Sequence, residues 1–307
     1  MRCWASAWSP PAWMKTNNNY SSGSLKWEPP ILNSYARYLA RWVEDYRAAG
    51  INIYALTPQN EPNITNIYPT CLWTGPQLRE FIGDYLGPTL RDRETHVELW
   101  LGLNGDPPNK GDDSNDRLAT VLGDPKANSF LTGIAFQYDS KNQIKTASER
   151  YPDKKLMQSE TECQKGANSW ADAQRLFFLM KRYFDGGANA YFLWNMVLDE
   201  IGVGPWKWPQ NAPITVSRGG KVTYNGEYHV MRHFSRFVKP GAKRVETTGA
   251  WGDKIAFLNP DGSTVIVMGN SAKQPLPVDL KAVGRSHGDT LKVTLPGHSI
   301  NTFILAR

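Results

Sequence analysis

Apolar positions along the chain fall into short runs that alternate with helical stripes as far as residue 238. Ile51-Asn52-Ile53-Tyr54-Ala55-Leu56 reads as a strand that stops at Thr57-Pro58. Ahead of it, Tyr35, Leu39, Trp42, Val43 and Tyr46 form an apolar stripe that predicts a helix over 33–49, closed by Gly50. Thr74-Gly75-Pro76-Gln77 predicts a capping box opening a helix to about Leu86. Further strands are expected at 97–103, 131–138, 155–160 and 190–194. Helices are expected at 114–123, at 142–150 and from Ser169-Trp170-Ala171-Asp172 to Gly186-Gly187. Strands separated by helices predict a parallel sheet covered by helices. After about residue 239 the texture changes. Alternating runs at 254–258, 264–268, 290–295 and 299–305, split by Asn259-Pro260-Asp261-Gly262 and Pro296-Gly297-His298 turns, predict a small antiparallel β-sandwich. The expected domains are therefore 1–238 and 239–307.

Composition narrows the function classes. Of 307 residues, 40% are hydrophobic and 21% charged, which argues against a disordered chain. No run of about 18 apolar residues is present, so no helical membrane span is expected. The 35 Lys and Arg exceed the 29 Asp and Glu by six without forming a basic run, so nucleic acid is not an expected partner. Cys3, Cys71 and Cys163 are odd in number and lack a CxxC pair, which rules out a disulfide framework. His229 and His233 share a helix face, but no HExxH motif accompanies them; neither a metal nor a cofactor is expected. Residues 1–20 contain no secretory h-region.

In a parallel α/β barrel, chemistry collects at the C-terminal ends of the strands. Glu61 follows the strand at 51–56, and Glu160 ends the strand at 155–159. They lie 99 residues apart, which leaves room for two intervening strands and puts the carboxylates across the barrel mouth from one another. Paired carboxylates suit glycoside hydrolysis, one protonating the leaving oxygen while the other attacks or activates water. A Glu after a strand is more often merely solvated; Asn60-Glu61-Pro62 is more telling, because Asn60 can bond a substrate and Pro62 stiffens the loop. Glu162 shares a strand face with Glu160, so periodicity does not choose between them. Twelve tryptophans are plentiful, and flat indoles suit pyranose faces; Trp206 and Trp208 are expected at the pocket rim.

Several ordered motifs carry a family resemblance: Trp8-Ser9-Pro10-Pro11-Ala12-Trp13-Met14-Lys15-Thr16-Asn17, Asn60-Glu61-Pro62, Ser159-Glu160 with Cys163, the run from Tyr228 to Phe237, and Pro296-Gly297-His298-Ser299-Ile300. Together they resemble glycoside hydrolase family 30, which includes glucosylceramidase. The resemblance implies a (β/α)8 TIM barrel with a C-terminal β-sandwich and retaining hydrolysis of β-glucosides or related β-glycans. It implies a carbohydrate substrate and a secreted or extracytoplasmic setting. It makes Glu61 the acid/base, favours Glu160 over Glu162 as nucleophile, and puts Trp13, Asn60, Tyr138 and Trp194 along the sugar cleft. Retention requires carboxyl groups about 5–5.5 Å apart, with Glu61 protonated and Glu160 ionised. Counting Met1–Trp8 as the family's third strand leaves six barrel strands, an expected truncation to about six βα units. An open edge at Arg2–Trp8 would then invite a homodimer. A catalytically impaired carbohydrate-binding fragment is the alternative reading.

Overall fold

The computed structural model describes residues 3–104, 116–160, 162–163, 165–204, 207–281 and 290–306. The chain divides into two compact units, residues 1–161 with 186–192, and residues 162–185 with 193–307. Trp206 lies outside the described residues.

The first unit is built on a six-stranded parallel sheet ordered β1 to β6: Cys3–Ser6, Ile53–Thr57, Glu98–Asn104, Leu131–Gln137, Lys155–Glu160 and Ala190–Tyr191. These are six strands of a TIM-type barrel. The inner face is closed by Ala55, Trp100, Ala135 and Met157, against which Trp4 of β1 and Phe192 just after β6 both pack. Their rings lie 5.8 Å apart, so the sheet curls until side chains from its first and last strands meet over one core. Trp100 is accommodated by Gly133 on the neighbouring strand, where an added Cβ would fall 2.7 Å from the indole.

Helix α1 (Pro29–Ala48) begins four residues before the expected start, because Pro29 and Pro30 occupy a first turn whose N–H groups need no partner. Its buried face is Leu32, Tyr35, Ala36, Leu39, Ala40 and Val43. Trp42 and Tyr46, read from sequence as part of that stripe, instead pack against each other as tilted rings 4.3 Å apart. Gly50, with φ of +82°, ends the helix as read. The Thr74–Gln77 capping box is present at the start of α2 (Gly75–Glu80). The chain does not stop near Leu86, however. A wide π-helical turn, Phe81–Leu86, leads into α3 (Gly87–Asp92). Pro88 lacks an N–H and would crowd the carbonyl one α-turn back, and the wider turn relieves both. Helices α4 (Arg117–Leu122), α5 (Pro125–Phe130) and α6 (Ile144–Arg150) complete this unit.

The second unit holds α7 (Trp170–Asp185), a three-stranded sheet of β7 (Val197–Asp199), β8 (Ile214–Val216) and β9 (Val222–Tyr224), and α8 (Gly226–Ser235). Its antiparallel part has one sheet ordered β10 (Lys243–Val245), β11 (Lys254–Leu258), β12 (Thr264–Asn270) and β15 (Ser299–Leu305). A second sheet pairs β13 (Leu276–Lys281) with β14 (Thr290–Leu295). Met268, Leu280 and Leu295 form the core between these sheets. Strands β7 to β10 and β13 were not foreseen from sequence, being short or, in β13, interrupted by Pro277.

Candidate active site

Two loops and one strand end build the site, all within the first unit. Beyond β2, the segment Gln59-Asn60-Glu61 is buried although every side chain is polar, so its groups must be bonded internally. The Gln59 amide donates to the carbonyls of Trp8 and Asn60, both at 2.7 Å, and its Oε1 accepts from the Trp73 indole at 3.1 Å. Arg117 in turn donates to the Trp73 carbonyl. Backbone bonding adds Asn60 N–H to the Ala7 carbonyl at 2.6 Å. The loop is therefore tied to the residues that follow β1 and to the helical side. Gly102 on β3 allows its approach, because a Cβ there would stand 2.8 Å from the Gln59 carbonyl.

Glu61 takes φ of +44°, left-handed backbone that is rare for a residue with a Cβ. Its Oε2 accepts a hydrogen bond from the Tyr68 hydroxyl at 2.7 Å, and the Tyr68 ring lies 5.3 Å from that of Trp8. Burial, followed by the bond to Glu61, raises the Tyr68 pKa above its ordinary value. Lys15, fully buried, donates to the carbonyls of Tyr20 and Thr70 and so joins the loop after β1 to the loop carrying Tyr68.

Glu160 is the last residue of β5 and is 8% exposed. Its Oε1 accepts from the Tyr138 hydroxyl and its Oε2 from the Gln137 amide, each at 3.1 Å. Tyr138 also sits in left-handed backbone, φ of +42°, directly after β4. Burial foremost, and then the charge of Glu61, push the Glu160 pKa up to about 8, against the pull of the Tyr138 hydrogen bond. This departs from the expectation of a readily ionised Glu160. Coupling of the two acids is expected from sequence with Glu61 as the raised group; the thorough burial of the strand end puts the rise on Glu160. Near neutral pH the pair retains a proton.

The structure thus brings together Asn60, Glu61, Tyr138 and Glu160. Trp13 sits on a short turn, Ala12–Met14, after β1 and is 54% exposed. Trp194 belongs to the second unit. Glu162 also belongs there, and it pairs with Arg175 of α7. Sequence reasoning missed Gln137 and Tyr68. A glutamine ending an otherwise apolar strand was the available signal for the first; Tyr68 lies in an irregular loop and gave none. His233 bonds Thr302 through Nδ1 at 2.8 Å in the second unit. Among the described residues no three His, Cys, Asp or Glu side chains are grouped to hold a metal.

Residues 1–238 match the glycosyl hydrolase family 30 TIM-barrel domain and residues 241–303 the family 30 β-sandwich domain. The chain belongs to glycosyl hydrolase family 30. It is 29% identical to the lysosomal acid glucosylceramidase of Mus musculus, over 99% of this chain and 62% of that protein. It is 26% identical to the endo-1,6-beta-D-glucanase neg1 of Aspergillus fumigatus, over 98% of this chain and 64% of that protein. The chain thus spans a little over three fifths of the length of these curated relatives. Among solved structures, SrfJ from Salmonella typhimurium superposes with a TM-score of 0.87 at 25% identity, over 100% of this chain and 69% of that one.

Proposed function

We propose that this family 30 chain is a retaining β-glycosidase acting on β-glucosides or related β-glycans by double displacement. The observation carrying the reading is the buried pair of acids, Glu61 and Glu160, at the C-terminal ends of parallel strands, with the charge of one raising the pKa of the other. In the first step a Glu160 oxygen attacks the anomeric carbon. The bond to the leaving oxygen breaks, and that oxygen takes the proton of Glu61. In the second step Glu61 removes a proton from water, the water oxygen attacks the same carbon, and Glu160 departs as carboxylate. The pair retains one proton near neutral pH, and catalysis needs it on Glu61; the Gln137 amide and the Tyr138 hydroxyl donate to Glu160 and favour its charged form against burial, while Glu61 accepts only the Tyr68 hydroxyl among the bonds described above. Engagement of Glu162 by Arg175 favours Glu160 as nucleophile.

The names of the glucosylceramidase and endo-1,6-beta-D-glucanase relatives support a β-glucosyl substrate. The partner we propose besides the glycan is a second copy joined along β1, the outer strand that pairs only with β2 among the described residues. Hydrolysis of an aryl β-glucoside by the wild-type chain, with losses of about 10³-fold or more in Glu61→Gln and Glu160→Gln, is the expected result. Sugar binding with no turnover would instead favour a carbohydrate-binding role.

A further inference from the structure

Gln137 performs work that the two acids and their tyrosines leave undone. It ends β4, is 4% exposed, and is the Cα partner of Glu160 across the β4–β5 ladder. That pairing exists because the register slips between Phe136 and Gln137. Phe136 faces Gln158, the next step skips Ser159, and Gln137 arrives opposite Glu160. A bulge of this kind re-aims one side chain. Its backbone is fixed by Ser140, whose hydroxyl accepts from the Gln137 N–H at 2.8 Å and donates to the Gln137 carbonyl.

From this position one nitrogen serves two acceptors. Gln137 Nε2 donates to Asn60 Oδ1 at 2.7 Å and to Glu160 Oε2 at 3.1 Å. The consequence for Asn60 is orientation. With Oδ1 engaged by Gln137, and approached by the Ser6 hydroxyl at 3.5 Å, the amide cannot turn over without setting NH₂ against NH₂. That fixes Asn60 Nδ2, the donor end of the amide, on the side opposite Gln137. We propose that Gln137 is a positioning residue that couples nucleophile and substrate recognition. Its donation to Glu160 favours the charged carboxylate, and it locks Asn60 so that its NH₂ faces the sugar, where the hydroxyl beside the anomeric carbon accepts it. The amide does this without titrating itself. This rests on the glycosidase reading above.

Gln137→Leu removes both donations at nearly constant volume, and Gln137→His restores a ring N–H. The acidic limb of kcat/KM, which reports ionisation of the nucleophile, is expected to move up by about half a unit or more in Gln137→Leu. The preference for an aryl β-glucoside over its 2-deoxy analogue is expected to fall about tenfold or more. Gln137→His should recover part of both. A general loss of rate with limb and preference unmoved would make Gln137 merely structural and overturn the proposal. If Gln137→Leu proves insoluble, Gln137→Met carries the same two expectations. If the wild-type chain turns over no glycoside, the glycosidase reading fails first. The coupling is then read from a ¹³C carboxyl titration, with Glu160 assigned by loss of its signal in Glu160→Gln. An unchanged Glu160 titration in Gln137→Leu or Gln137→Met overturns the proposal.

Discussion

The proposed chemistry rests on Glu160, whose acidity the fold alters more than its bonds would suggest. Burial and the neighbouring Glu61 charge raise its pKa to about 8 from 4.5. The folded state therefore holds this proton more tightly than the unfolded chain does. That contribution to stability is complete below pH 4.5 and is lost as pH rises through 8. Glu160→Gln never ionises, so its stability relative to wild type should grow across that window, by about 3–5 kcal/mol, in thermal unfolding at pH 4 and pH 9. A gap independent of pH would contradict the raised pKa. Glu61→Gln removes the second of the two causes, and the Glu160 carboxyl should then titrate lower in a ¹³C measurement. At this scale residue type and position sufficed to single out Asn60-Glu61-Pro62, in the loop after β2, and Ser159-Glu160, at the end of β5. The sequence was silent on the partner of each acid, since Tyr68 reaches Glu61 from an irregular loop and Gln137 reaches Glu160 through a register slip.

Strands and loops set the precision with which these acids are held. The loop after β2 carries left-handed Glu61 and survives because Gln59 satisfies the Trp8 and Asn60 carbonyls and the Trp73 indole together. Gln59→Leu strands all three buried groups and should cost about 2–4 kcal/mol in denaturant unfolding, far more than a surface Gln→Leu change. Gly102→Ala presses a methyl group against the Gln59 carbonyl. It should cost about 1–3 kcal/mol and reduce kcat by displacing Glu61. Wild-type stability in either variant would show that the loop is held otherwise. Periodicity served well for elements longer than a few residues. The capping box at Thr74 and the Gly50 stop were legible because each depends on two or three local residues. The helix passing Gly87-Pro88 was not, since a π-helical turn depends on packing as well as local preference. The strand expected at 190–194 is present only as the two-residue β6, and the three-residue strands β7 to β10 were too short to show any period.

For the molecule as a whole, alternation of strands and helices and the later change to hairpin texture sufficed to foretell a parallel sheet followed by antiparallel sheets, while the TIM-type barrel came from the family resemblance. Compactness was less legible: residues 162–185 fall within the alternating region yet belong to the second unit, because unit membership follows tertiary contacts that no local pattern encodes. The six-stranded sheet has its outer strands at β1 and β6, and an outer strand offers unpaired backbone groups to another chain. Light scattering should therefore find twice the 34.5 kDa chain mass, and Ala5→Pro in β1 should return the monomer; a wild-type monomer at all concentrations would refute the second-copy proposal. The account as a whole is tested most directly by trapping its covalent intermediate with an activated 2-deoxy-2-fluoro-β-glucoside and mapping the label by mass spectrometry of peptic peptides. It predicts one glycosyl unit attached to Glu160 and none in Glu160→Gln. Label on Glu162, or no label on a chain that turns the parent glucoside over, would contradict it.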